Sequence, residues 1–383
     1  MQLDCDVIVV GAGPVGSRVA ARLAGSGHDI ILLEKRQSLG QPVCCTGIIS
    51  AQCLEQFNIT PELILRKYCG AVINSPSGAM INISRPGVQA VAVDRAALDR
   101  SLTDAAVSSG ARISLGSTVT EVTTSMSHAT VVFIQGGSSR ILRSRSVVIA
   151  AGLSPRLTQM LGLGKIHDAA LGFQVEVETP AAVEVEVFIN KNLTPGFFAW
   201  MAPVSDTRAK IGLLARRRGD GHLDVLIERL RSQGKIGPEF DEISCRAVPL
   251  SRLPRTYGDR VLVVGDAAGQ VKPTTGGGLY YGLLCADIAG DTLNSALKTG
   301  DLSATSLKRY EKTWRAAIGR DLLIGRFGKY IFQHLSDERL DRIMVKARDS
   351  GVIDRLLSNP SLSFDRHGKA LVKAAGSLIQ SIF

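Results

Sequence analysis

No apolar run in this chain approaches the roughly 18 residues of uncharged helix that cross a bilayer. The longest, Val147–Ala151 and Val261–Val264, are the size of buried strands. The first residues, Met1–Asp6, carry two acids and lead straight into a fold element, so no secretory leader is expected. The seven cysteines show no CxxC spacing and no other metal-ligand pattern, which argues against a zinc or dithiol centre. Their odd number fits a reducing compartment better than a disulfide framework. Aromatic residues make up only 5% and no nucleic-acid motif occurs, so nucleic acid is not an expected partner. Repeats and low-complexity tracts are absent too. The expected location is cytoplasmic, with a peripheral place at the inner face of a membrane as an extension of it.

What the chain does have is material for two cores: 383 residues, 45% hydrophobic and 21% charged. Net charge is +10, and residues 306–383 hold 15 Lys/Arg against 8 Asp/Glu, +7 of that total. Such a basic end suits an acidic protein or anionic lipid headgroups. A solvated helical face with surplus Lys/Arg accounts for it equally well.

Patterning along the chain predicts an α/β protein, α+β overall. Asp6–Val10 is a continuous apolar run, Ser17–Leu23 has helical period, and Asp29–Leu33 is a second strand. Ala51–Phe57 reads as a short helix, Ala71–Ser84 as a hairpin around Pro76 and Gly78, and Val93–Ser109 as a helix. Arg112–Ser146 reads as β segments broken at Gly136-Gly137. Phe173–Val187 alternates Val with Glu, the mark of an antiparallel sheet with one wet face, and Phe197–Met201 and Ala209–Leu214 continue it. A helix at His222–Ser232 and strands at Cys245–Pro249 and Arg260–Val264 follow. Helices are expected at about 279–297, 306–333, 336–349 and 363–382. In the last, Leu371, Val372, Ala375, Leu378, Ile379 and Ile382 share one face. Docking on the protein's own core or lying on anionic lipid would both produce that pattern.

Gly11-x-Gly13-x-x-Gly16 sits between the first strand and the first helix, with Pro14 inside it. Gly11 permits the tight turn, Gly13 lets backbone approach a pyrophosphate, and Gly16 allows close helix–strand packing. The helix N-terminus offers free N–H donors and positive dipole to phosphates. Glu34 ends the next strand and can accept from ribose hydroxyls, with Lys35 beside it. This context identifies a dinucleotide site. Far along the chain, Gly265-Asp266-Ala267-Ala268-Gly269 follows another buried strand, and Pro273 and Gly276-Gly277-Gly278 precede a helix. Asp266 can bind a ribityl or ribose hydroxyl. The glycines can turn backbone N–H groups to a flavin's pyrimidine edge, where charge develops on reduction. Alone, this segment is equally an Asp-capped turn.

Taken together, these motifs resemble the FAD-binding family that includes the para-hydroxybenzoate hydroxylase-type enzymes and the geranylgeranyl reductases. The resemblance implies a Rossmann-type FAD-binding domain (1–70, 91–168 and 256–300), an inserted mixed β-sheet substrate domain (71–90 and 169–255) and a helical C-terminal region (301–383). Val93-Asp94-Arg95-Ala96-Ala97-Leu98-Asp99 matches a third family position, where the Arg reaches the flavin side of the site; an exposed Arg95/Asp99 helix pair is the alternative. The family's hydroxylases carry Asp-Gly where this chain has Ala151-Gly152, which argues against a hydroxylase-like use of NADPH.

Two segments are similar to the geranylgeranyl reductases in particular. Pro42–Ser50 resembles their segment with a Cys beside the flavin, and Cys45 occupies that position. Phe198-Ala199-Trp200-Met201-Ala202-Pro203 resembles their Tyr-x-Trp-x-Phe-Pro substrate motif, with Phe198 for Tyr and Ala202 for Phe. The resemblance implies an FAD-dependent reductase of isoprenoid C=C bonds, with hydride delivered from flavin N5 to a geranylgeranyl chain on a lipid or diphosphate. Phe197, Phe198, Trp200 and Pro203 would then line the prenyl site, and Cys45 and the backbone of Gly276 and Gly277 would serve catalysis. NADPH, reduced ferredoxin or flavodoxin is the implied electron donor. The competing readings are an FAD monooxygenase or halogenase acting on an aromatic or polyketide substrate, a quinone-linked dehydrogenase, and a protein in which FAD is only structural. The halogenase motif Trp-x-Trp-x-Ile-Pro fits poorly, because Phe198 and Ala202 stand at its first and fifth positions.

Overall fold

The computed structural model describes residues 2–40, 44–180, 184–217, 221–359 and 363–365. Pro42, Val43 and nearly all of the helix expected over 363–382 lie outside these. The chain forms two compact units, each made of three segments: Met1–Gln41, Arg95–Ala169 and Pro249–Leu322 in the first, Pro42–Asp94, Ala170–Val248 and Leu323–Phe383 in the second.

The first unit is built on a mixed sheet that is parallel at its centre. Its strands run in the order Tyr257–Gly258, Val261–Val263, Ser138–Ile149, Cys5–Val10, Ile30–Leu33 and Arg112–Ser114. Val9 lies between Val148 and Leu32, and Val148 pairs in turn with Leu262. These central strands are closed off on both faces, which explains their unbroken apolar runs: Val7, Ile8, Val9, Val147, Val148 and Ile149 are all 0% exposed. Ser138–Ile149 also pairs antiparallel with Ala129–Gln135 across Gly136-Gly137, where both glycines have positive φ, as a tight hairpin turn requires. Helix Pro14–Ala24 is tied to helix Leu279–Thr299 by the ion pairs Arg18–Asp287 (2.8 Å) and Arg22–Asp291 (2.7 Å). Trp314, in helix Ala304–His334, is fully buried and donates its indole N–H to Thr256 Oγ1 at 3.0 Å.

A seven-stranded sheet forms the second unit: Ser244–Pro249, Ala169–Glu178, Arg208–Ala215, Ala199–Pro203, Val185–Phe188, Gly70–Asn74 and Met80–Ser84. Helix His222–Ser232 buries Leu223, Leu226, Ile227 and Leu230 in one cluster with Val175, Val177, Ile211 and Leu213. On the wet face the acids find cations, Glu176 with Arg208 at 3.1 Å and Glu186 with Lys235 at 2.6 Å. A smaller antiparallel sheet joins Ile48–Ser50, Ala90–Val93 and Ile64–Tyr68. The second unit takes in 42–94, whereas the resemblance implied a first domain that includes residues up to 70 and 91–94. Residues 301–322 group with the first unit, since Tyr310 and Trp314 complete its core. Among the described residues no helix is long and apolar enough to cross a membrane.

Candidate functional site

In the first unit the glycine loop leaves strand Cys5–Val10 at Gly11, whose φ is +101°. A Cβ on Gly11 would stand 2.6 Å from Ala150 O, and one on Gly16 only 1.9 Å from Gly11 O. Only glycine fits at either position. Gly13 is different in kind: nothing lies within 4 Å of its Cβ position. It caps helix Pro14–Ala24 without a side-chain hydrogen bond, and Pro14 opens the helix. The first-turn N–H groups therefore keep donor capacity, and the backbone has room beside it for an anion. Glu34 is fixed by the Ala12 N–H on Oε2 (2.8 Å) and the Arg36 N–H on Oε1 (3.0 Å). A carboxylate has about four acceptor positions, which leaves Glu34 capacity for ribose hydroxyls. Lys35 beside it is exposed.

The second glycine segment lies against the first. Gly265 has φ +71°, and its Cβ position is 3.0 Å from the Val15 side chain; that of Gly282 is 2.6 Å from Val15 Cγ2. Val15 directly follows Pro14, so residues some 250 positions apart pack together through absent side chains. Asp266 approaches Gly278, whose Cβ would stand 2.9 Å from Asp266 Oδ1. Gly276, at φ +72°, donates its N–H to Lys272 O (2.9 Å), and Gly277 O accepts the Lys272 N–H (3.1 Å). Pro273 is buried in this turn. Helix Leu279–Thr299 then starts at Gly278, again without a side-chain cap. Two helix N-termini without side-chain caps thus begin within one unit, beside a carboxylate at the end of each neighbouring strand. That donor and acceptor set fits the pyrophosphate, ribose and ribityl groups of FAD.

Arg95 opens helix Arg95–Ser108 and is 6% exposed, its guanidinium 2.8 Å from Asp99. The pair is buried, unlike a surface ion pair. The same helix is fastened to the glycine loop by Thr103 Oγ1, which shares a hydrogen bond with Ser17 Oγ at 2.9 Å, while Ser17 donates to Ala12 O. Sequence reasoning did not single out Ser17 or Thr103. It also passed over Gln270, which is 0% exposed, accepts the Gly265 N–H (2.7 Å) and donates to Tyr310 Oη (2.8 Å); Tyr310 donates onward to Val263 O. The only local hint was a glutamine inside an otherwise apolar turn. At the same end of the sheet, beside Gly11, Gly152 holds φ +69° after Ala151, so the turn is kept without the hydroxylase carboxylate.

The remaining expected residues belong to the second unit. Cys45 is half-buried just ahead of strand Ile48–Ser50. Its neighbour Cys44 donates to Gly172 O at 3.6 Å, and burial pushes the Cys44 thiol up, reinforced by the nearby Cys45 and Cys245. Phe198 and Trp200 form a tilted aromatic pair with centroids 6.0 Å apart. Trp200 lies opposite Gly212 on the adjacent strand, where a Cβ would come within 2.6 Å of indole Cζ2; the glycine lets the indole lie across the sheet. The indole Nε1 is buried and has no hydrogen-bond partner among the described residues. Pro203 O accepts a short hydrogen bond from Tyr68, whose burial raises its pKa. Phe197 is 3% exposed but precedes the strand that sequence periodicity had extended to it.

Comparison with known proteins agrees with this architecture. A family model described as lycopene cyclase protein matches residues 6–349. The chain is 32% identical over 398 aligned positions to digeranylgeranylglycerophospholipid reductase 2 of Methanopyrus kandleri, covering 98% of this chain and 96% of the relative. The crystal structure of a geranylgeranyl bacteriochlorophyll reductase-like protein from Thermoplasma acidophilum superposes with a TM-score of 0.86 at 22% identity, over 99% of this chain and 98% of that one. A flavin-dependent brominase triple mutant shares the fold more distantly, with a TM-score of 0.72 at 15% identity over 98% of this chain and all of that one.

Proposed function

Given that the chain belongs to the digeranylgeranylglycerophospholipid reductase family of FAD-dependent oxidoreductases, we propose that it reduces isolated C=C bonds in geranylgeranyl chains carried on a lipid or a diphosphate. The observation that carries this reading is the aromatic strand of the second unit, with Trp200 laid over Gly212 beside Phe198. An unactivated alkene has no carbonyl to hold developing charge, so it needs a dry apolar surface, and tilted aromatic rings supply one. When bound, reduced FAD supplies the hydride for one alkene carbon. The protein's own groups do the rest. The N–H groups around Gly13 hold the pyrophosphate, Glu34 and Asp266 accept from sugar and ribityl hydroxyls, and Arg95 adds positive charge on the flavin side. The glycine turn at Gly276–Gly278 would let the backbone come close to the cofactor, but the Gly276 N–H is already given to Lys272 O and the Gly277 N–H to Thr275 Oγ1, so these two donors do not serve the charge that develops there. Cys45 positions the alkene or holds the proton for its second carbon. With Ala151 in place of the hydroxylase acid, a reduced ferredoxin or flavodoxin suits the basic surface at least as well as NADPH does.

Contact with a lipid surface follows from the substrate and has support on the surface of the second unit. Leu323, Phe327, Tyr330 and Ile331 are 53, 66, 60 and 42% exposed and fall at i, i+4, i+7 and i+8 of helix Ala304–His334. That apolar face, in the part of the chain richest in Lys/Arg, suits an anionic bilayer surface. The function is tested by anaerobic incubation of dithionite-reduced holoprotein with geranylgeranyl lipids and geranylgeranyl diphosphate. The expected product is heavier by one H2 per double bond reduced. Unchanged substrate across all headgroups would refute the proposal.

A further inference from the structure

The two segments that resemble the isoprenoid reductases, one around Cys45 and one around Trp200, are carried to a single face of the second unit's sheet. Gln174 is paired directly with Gly212, and Gly212 with Trp200, so the three form a row across adjacent strands. Residues directly opposed across strands point to the same face, here the one turned away from the cluster of Val175, Ile211 and Met201. The indole leans over the glycine in the middle of the row, 2.6 Å from where a Cβ would be. Gln174, on the other side of that glycine, is 5% exposed. Its amide Oε1 accepts from the Thr46 hydroxyl at 3.0 Å, and two residues earlier Gly172 O accepts from the Cys44 thiol at 3.6 Å. Cys45 is thus flanked by two residues fastened to one strand. Beyond them Gly47 O accepts the Val93 N–H (3.0 Å), where the pairing of Ile48–Ser50 with Ala90–Val93 begins. The strand is pinned in turn by Ser244 Oγ, which donates to Gln174 O at 3.0 Å.

Of the two anchors, the thiol is a weak donor, and it meets backbone that any residue at 172 would offer. The Thr46–Gln174 bond is the specific one, because a buried amide left without its partner costs its full desolvation. Whatever Cys45 does for the alkene depends on its distance from a chain lying against Trp200. A misplacement of about 1 Å in such an arrangement costs roughly 100-fold in rate. We propose that Gln174 is a positioning residue: its hydrogen bond to Thr46 keeps the Cys45 segment on the Trp200 face, with only Gly212 between the amide and the indole. The inference rests on the isoprenoid-reductase reading and adds to it a residue that lies outside both reductase-like segments.

Holoprotein carrying Gln174→Leu, Thr46→Val or both changes tests it. Replacing both partners by apolar groups of similar shape strands no buried polar atom, so the double variant should melt like the wild type. All three should lose kcat by one common factor, roughly tenfold to a hundredfold, with KM changed by less than about threefold. Thr46→Ser keeps the hydroxyl and should recover most of the rate. Peptide mapping after iodoacetamide treatment of substrate-free protein gives a readout without turnover. The alkylation rate of Cys45 should change by roughly threefold or more in all three variants, while that of the exposed Cys69 stays fixed. Losses that multiply in the double variant, a Thr46→Ser as slow as Thr46→Val, or an unaltered Cys45 rate would overturn the assignment. A kinetic loss that merely follows a fall in Tm would do the same. Failure of the reductase reading would look different: the wild type would reduce no prenyl ligand, while Cys45 alkylation still responded to both substitutions.

Discussion

Gly13→Ala isolates the cofactor site from the fold. The backbone at Gly13, φ −70° and ψ 177°, is open to any residue, and the added methyl group meets nothing within 4 Å. In the apoprotein the change costs at most a weaker helix cap, about 1 kcal/mol or less. In the holoprotein the methyl occupies the approach of the pyrophosphate to the first-turn N–H groups. Losing one or two charge-assisted hydrogen bonds removes about 2–4 kcal/mol, which weakens FAD roughly 30- to 700-fold. Gly16→Ala is the contrast, because its methyl would lie 1.9 Å from a backbone oxygen that no rotamer can move. There the cost falls on the fold itself, about 3 kcal/mol or more, or a fall in Tm of roughly 6–12 °C for a domain of this size. Apoprotein melting and flavin-fluorescence titration of both variants separate the two effects. The reasoning fails if Gly13→Ala binds FAD like the wild type, or if its apoprotein melts as low as Gly16→Ala.

Three further outcomes are expected. Tyr310→Phe strands Val263 O and the Gln270 amide in a fully buried site, so the urea midpoint should fall by the equivalent of about 1–3 kcal/mol with no change in slope; an unchanged midpoint would show the network to be dispensable. Trp200→Phe should retain full flavin content while kcat/KM for prenyl substrates drops by roughly tenfold or more; unaltered kinetics would remove Trp200 from the prenyl site. Burial pushes Cys5 from 9.0 up to about 12, and raises Cys285 and Tyr310 too. The unfolded chain releases these protons first, so stability should decline as pH rises from about 9 towards 12, by up to about 1.4 kcal/mol per pH unit for Cys5 alone, and a flat profile in urea titrations across that window would contradict the assigned burial.

The parts of the fold legible in the sequence are those whose cause is local. The apolar runs at 6–10 and 147–149, the glycine hairpin at 136–137 and the Val/Glu alternation from 173 each announce burial or a turn within a few residues, and the structure has them. What stayed hidden depends on partners far away. Ile48–Ser50 and Ile64–Tyr68 are too short to show periodicity and become a sheet only through Ala90–Val93. Arg95 and Asp99 have the same spacing whether a helix face is wet or dry, so the sequence left both readings open. Gln270 meets Tyr310 across 40 residues, and Trp200 meets Gly212 only once strand register is set. At the site, the glycine motifs could be read because phosphate recognition constrains backbone over short spans.

The strand Ser138–Ile149 sits between Cys5–Val10 and Val261–Val263. During synthesis, its second edge therefore stays bare until more than a hundred further residues have left the ribosome. Over that interval the nascent chain carries an apolar ladder able to pair with another copy, and the Val15 shelf lacks Gly265 and Gly282. The strand Val261–Val263 closes that edge and the glycines after it complete the Val15 shelf, so the flavin site can form only once most of the chain is made.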